Sequence, residues 1–142
     1  MNLVLDASVA MGWHIVRQDL NEAALAQRAL GAVMANGAAV PALWYQEIAN
    51  ALLHAERYQS FTLKATTAFL ADLAALPIAA DTASPASTQA SILSLARTFH
   101  LTAYDASYLE LTIRKNAQLA TFDRRLAEAA RTAGVPVFGD PA

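Results

Sequence analysis

Short apolar runs alternate with longer helical patterns along this chain. That alternation restricts it to a parallel sheet with helices packed on both sides. The first run, Leu3-Val4-Leu5, is apolar without interruption and closes on Asp6. We expect a buried strand over Asn2–Asp6 and a short helix from Ser8. Asn21 reads as the N-cap of a helix from Glu22 to about Ala35, and Asn36-Gly37 as its stop.

Ala38–Pro41 follows as a second strand, and a strong helix covers Ala42–Tyr58. Another helix is expected over Thr62–Ala75, then a third strand over Leu76–Ala79. Ser84-Pro85 pairs a capping residue with proline at the first helical position, starting a helix to Phe99. A helix from near Asp105 to Asn116 precedes the fourth strand, Gln118–Thr121. Asp123 opens a last helix to Ala133, with Gly134 ending it, and Val135–Phe138 forms an edge strand. There is no internal repeat and no linker-like segment, so residues 1–142 are expected to form one domain.

Composition narrows the chemistry. The chain has no cysteine, which removes thiolate metal sites and disulfides; its three His are scattered without ligand spacing. The N-terminus lacks a basic stretch followed by a long apolar one, and no uninterrupted apolar segment of roughly 18 residues occurs. We therefore expect neither a signal peptide nor a membrane span, and a cytoplasmic location. Hydrophobic residues make up 56% and charged residues 15%, with much of the excess in alanine. A chain this short and this poor in charge is expected to cover apolar surface with a partner. The net charge of −2 excludes a broad basic footprint for nonspecific nucleic-acid binding. Eight of the ten basic residues are Arg, however, and a local Arg patch suits phosphate contacts.

Four acidic residues stand apart at the edges of regular segments: Asp6, Glu47, Asp105 and Asp123. Asp6 and Asp123 follow strands, and open α/β sheets bind ligands beyond the carboxyl ends of their strands. A carboxylate directly after a buried strand is desolvated and requires a partner; Ser8 can donate to Asp6 or cap the next helix. On the helix over Ala42–Tyr58, Trp44, Ile48, Ala51, Leu52 and Ala55 form one apolar stripe. Glu47, Asn50 and His54 line the adjacent face, which sets Glu47 at the rim of the buried side. Asp105 and Asp123 each stand at a helix start, where Asp commonly serves as N-cap. Tyr108 and Thr112 share the face of Asp105, while Leu109 and Ile113 are expected in the core. Glu22, Glu56, Glu110 and Glu128 read as solvated. A cup of several carboxylates is costly unless a cation fills it, and a hard divalent ion with oxygen ligands suits it.

The stretch Leu3-Val4-Leu5-Asp6-Ala7-Ser8-Val9-Ala10 resembles the opening of PIN-domain ribonucleases, in particular VapC toxins of bacterial toxin–antitoxin pairs. Glu47-Ile48-Ala49-Asn50-Ala51-Leu52 resembles their second acidic block, Tyr104-Asp105-Ala106-Ser107-Tyr108-Leu109 the third, and Leu119-Ala120-Thr121-Phe122-Asp123 the fourth. The four blocks stand in family order over nearly the whole chain. The resemblance implies a PIN-like three-layer α/β/α fold with a short central parallel sheet of four to five strands. It implies an Mg²⁺- or Mn²⁺-dependent endoribonuclease that leaves a 5′-phosphate and a 3′-hydroxyl. A homodimer inhibited by a cognate antitoxin protein is implied as well. Arg125 stands where many relatives carry a further acid, which weakens the expectation of a second tightly held ion. Ala7-Ser8 replaces the frequent Thr after the first Asp.

On this basis Asp6, Glu47, Asp105 and Asp123 are the expected catalytic residues. Asp6, Asp105 and Asp123 are expected to hold the metal, with Ser8, Asn50 and Thr121 as supporting donors. The helices over Ala42–Tyr58 and Thr62–Ala75, with Tyr58, Phe61 and Phe69, are candidates for packing against a second copy. The main alternative is a catalytically silent PIN-like module that binds RNA or an antitoxin. An aspartyl-phosphate phosphatase or a receiver-like domain is disfavoured: no second Asp follows Asp6 by two positions, and the only lysines are Lys64 and Lys115.

Overall fold

The computed structural model describes residues 2–141. Four three-residue strands form one parallel sheet: β1 (Leu3–Leu5), β2 (Ala38–Val40), β3 (Ile78–Ala80) and β4 (Gln118–Ala120), in the order β3-β2-β1-β4. Seven helices flank it: α1 (Ala7–Met11), α2 (Leu20–Asn36), α3 (Leu43–Tyr58), α4 (Leu63–Ala74), α5 (Pro85–Phe99), α6 (Ala103–Arg114) and α7 (Arg124–Thr132). This is the expected α/β architecture, at the lower end of the expected strand number.

β1 lies between β2 and β4, and all three of its residues are buried. A parallel strand covered on both faces has no use for alternation, which is why Leu3-Val4-Leu5 is apolar throughout. Leu3, Val4 and Leu5 pair with Gln118, Leu119 and Ala120. The ladder runs one residue further, with Asp6 N–H donating to Ala120 O at 2.9 Å. The chain therefore leaves β1 and β4 side by side, at the same edge of the sheet.

The expected edge strand over Val135–Phe138 reduces to one parallel bridge, Leu119 to Val137. Leu119 N–H donates to Pro136 O and Phe138 N–H to Leu119 O. Pro136 has no N–H to extend this pairing.

Helix starts differ from expectation where a better cap lies upstream. Asp19, not Asn21, caps α2, its side chain accepting from Glu22 N–H at 3.0 Å. Thr102 caps α6, accepting from Asp105 N–H at 3.1 Å. Asp105 thus lies in the first turn rather than at the cap, and α6 ends at Arg114. Asp123 does cap α7, with Leu126 N–H donating to its Oδ1 at 3.0 Å.

The stripe on α3 buries Trp44, Ile48, Leu52 and Ala55, whereas Ala51, expected with them, is half-buried and lines a cleft. On α6 the core side is wider than a simple stripe: Tyr108, Leu109, Glu110, Leu111 and Thr112 are all buried, and Ile113 is exposed. α6 packs against α5 as well as β1, β4 and α7, so little of its circumference meets water. Glu110, expected in solvent, is buried beneath Arg114, which also binds Asp81. Glu56 is half-buried and accepts from the Thr66 hydroxyl at 2.7 Å. Phe69 fills the core, Phe61 is half-buried, and Tyr58 is 74% exposed. His14 is half-buried, with its ring 4.5 Å from Phe69 and 4.8 Å from Phe61.

Among the described residues, no helix is long and apolar enough to cross a membrane.

Candidate active site

The site begins where β1 and β4 end. Asp6 is 7% exposed and receives two hydroxyl donors on one oxygen. Ser8 Oγ–H and Thr121 Oγ1–H each donate to Asp6 Oδ2 at 2.7 Å. Ser8 comes from the first turn of α1, and Thr121 from the residue after β4. Both are doubly used. Phe122 N–H donates to Ser8 Oγ at 3.1 Å, and Asp123 N–H donates to Thr121 Oγ1 at 3.0 Å. Two hydroxyls therefore sew the β1–α1 turn to the β4–α7 turn, with the Asp6 carboxylate at the seam.

Three of the four acids are held above their usual pKa. For Asp6 the main cause is burial; the Thr121 and Ser8 hydroxyls pull the other way, and the charge of Asp123 adds to the rise. Asp105 is raised first by burial, then by Asp123 and Asp6, with Thr102 and Arg125 opposing. Glu47 is raised first by burial, opposed by the Tyr108 hydroxyl, and raised further by Asp6 and Asp105. Each of these groups thus feels the negative charge of at least one other. Asp6, Glu47, Asp105 and Asp123 form one electrostatic assembly from four separate segments of the chain.

The structure adds Tyr108, which the sequence placed on the Asp105 face without a partner. Its phenol is fully buried and donates to Glu47 Oε1 from α6 across to α3. Burial, then Asp6 and Glu47, push the phenol above its ordinary pKa, so it remains a donor at every physiological pH. The signal was a large polar aromatic one turn after an acid on a buried face, since a buried Tyr hydroxyl usually finds an acceptor. Asn50, by contrast, is exposed and makes no hydrogen bond to a carboxylate among the described residues. It lines the same cleft as Glu47 and Ser8. Arg125 is exposed, and its charge acts on Asp105.

The donor set fits a hard divalent cation. All its ligating groups are oxygens, they repel one another, and among the described residues Arg125 is the one cation that offsets any of the raised carboxyls. No three acidic or His side chains among the described residues are close enough to grip an ion together.

The chain belongs to the PIN domain family: the PIN domain model matches residues 3–132. Among solved structures, it is similar to that titled "Crystal Structure of PAE2754 from Pyrobaculum aerophilum", with a TM-score of 0.61 and 18% identity over 91% of this chain and 84% of that one. At that identity the likeness concerns the fold. No curated protein sequence matches the chain. PIN domains are generally metal-dependent nucleases that act on RNA and typically bind Mg²⁺ or Mn²⁺.

Proposed function

We propose that residues 1–142 form a single-domain, metal-dependent endoribonuclease acting as the toxin of a toxin–antitoxin pair in the cytoplasm. The observation that carries the nuclease reading is the junction at Asp6, where a buried carboxylate receives two hydroxyls and couples to three further acids. A protein that used these residues only for folding gains nothing from leaving so much like charge unneutralised.

Asp6, Asp105 and Asp123 would hold Mg²⁺ or Mn²⁺, directly or through water. Such an ion would supply charge neutralisation at the phosphate and activation of the attacking water. Ser8 and Thr121 keep the Asp6 carboxylate in one orientation by donating to a single oxygen. Tyr108 does the same for Glu47, leaving the carboxylate tip facing the cleft. With its pKa raised by burial, against the pull of the Tyr108 hydroxyl, and further by Asp6 and Asp105, Glu47 is suited to accept a proton from the attacking water. Hydrolysis then leaves a 5′-phosphate and a 3′-hydroxyl.

The toxin role is supported by the order of the four acidic blocks. A protein partner is supported by the face between α3 and α4. There a groove of about 630 Å³ is lined by Trp44, Tyr45, Leu53 and Leu70, the last three 43–47% exposed. Trp44 Nε1 is buried beside it without an acceptor among the described residues. A cognate antitoxin or the second subunit of a homodimer would cover this surface. Induced expression in a bacterial host tests the role. Growth should arrest with the wild type and continue with Asp6→Asn; equal growth with both overturns the proposal in favour of a silent binding module.

A further inference from the structure

Beside the acids lies a cleft of about 900 Å³ whose walls include Ser8, Glu47, Asn50, His54, Arg17 and Arg124. Arg17 comes from the loop between α1 and α2. Its guanidinium lies over the Phe122 ring, 4.7 Å from the centroid. Its NH2 also spans both oxygens of Glu22, at 3.3 Å and 3.2 Å. The two side chains remain 40% and 33% exposed, so this pair is weakly held and open to exchange.

Phe122 is not a neutral perch. It stands between Thr121, which donates to Asp6, and Asp123, and its own N–H donates to Ser8. A guanidinium held over this ring is therefore registered to the seam of the acidic site. An aromatic face preorganises the planar fork and leaves its edge free for a bidentate anion. RNA approaching four acids meets repulsion, and a cation fixed beside them offsets it.

We propose that Arg17 is a substrate-binding residue that exchanges the Glu22 carboxylate for an RNA backbone phosphate next to the scissile bond. The inference rests on the ribonuclease reading above and deepens it. Glu22 acts as a stand-in anion: it keeps the fork ordered on Phe122 while the cleft is empty and competes with phosphate when RNA arrives.

This makes two substitutions at one ion pair act in opposite directions. The measurement is fluorescence anisotropy of a short labelled single-stranded oligoribonucleotide bound to Asp6→Asn protein. It is repeated with wild type in EDTA, so that a folding defect of the variant cannot mask the result. In either background Glu22→Gln tightens binding by about threefold, the effect of removing a weak competing anion. Arg17→Ala weakens it by about tenfold and lowers the slope of log affinity against log salt by about one. The Arg17→Ala/Glu22→Gln double variant binds like Arg17→Ala. A merely structural pair gives the opposite pattern, with both single variants weakening binding and no change of slope. That result, or an affinity insensitive to Arg17 in protein that still binds RNA, overturns the inference and leaves the nuclease reading intact. If neither background binds RNA, both fall.

Discussion

The Thr121 hydroxyl donates to Asp6 Oδ2 at 2.7 Å across 115 positions of sequence, and Thr121 Oγ1 in turn accepts from Asp123 N–H. One threonine therefore ties together the two aspartates that follow β1 and β4. Thr121→Val keeps the shape and removes both contacts. It leaves the Asp123 N–H without its acceptor and Asp6 with one hydroxyl donor. We expect a loss of about 1–3 kcal/mol in urea unfolding and a higher Mg²⁺ concentration for half-maximal cleavage. Thr121→Ser restores most of both. Equal stability of Val and Thr at this position would show that the hydroxyl is not part of the structure's support.

The raised Asp6 carboxyl makes a prediction about stability and pH. A carboxyl whose pKa is higher in the folded protein stabilises the fold below its unfolded value of about 4. It loses that contribution as pH rises through the folded value. Glu47 and Asp105 act in the same direction. Metal-free wild type should thus become less stable from acidic pH toward neutrality. Asp6→Asn, which can still accept both hydroxyls, should melt higher than wild type at pH 7.5 by roughly 4 °C for each kcal/mol regained. Near pH 4 the two should converge. Thermal melts in EDTA check this, and a variant less stable than wild type at neutral pH would contradict it. Millimolar Mn²⁺ should raise the wild-type melting temperature at pH 7.5 and leave Asp6→Asn nearly unmoved.

Tyr108→Phe isolates one hydroxyl. The donor lowers the pKa of Glu47, so its loss lets that pKa rise further. If Glu47 takes the proton from the attacking water, the acid limb of the pH profile for kcat should move to higher pH. On that limb kcat should fall, with a smaller change in KM. A profile that keeps its shape and position would place Glu47 outside the chemistry.

The fold was legible where one residue type has one physical explanation. An unbroken apolar run at Leu3–Leu5, a proline after Ser84 and a glycine after Asn36 each mark an element directly. Strand-end position made Asp6 and Asp123 conspicuous for the same reason. What escaped were contacts made at long range. Tyr108 meets Glu47 across 61 positions, and periodicity on α6 says nothing about a partner on α3. Glu110 looked solvated because helical patterning shows polarity, not the Arg114 and α5 that enclose it. Capping was misjudged at Asn21 and Asp105 because Asp19 and Thr102, a few positions upstream, compete for the same role. Arg17 carries no motif, and its place on Phe122 exists only once the α1–α2 loop folds over the β4–α7 turn.

The central claim is that four carboxylates from distant segments act together to cut RNA. The most direct measurement is cleavage of a labelled RNA by purified protein with Mg²⁺ or Mn²⁺, comparing wild type with Asp6→Asn. Wild type should produce discrete fragments bearing 5′-phosphates, abolished by EDTA, and Asp6→Asn should lose at least about 100-fold in rate. Cleavage by Asp6→Asn at the wild-type rate would contradict the account.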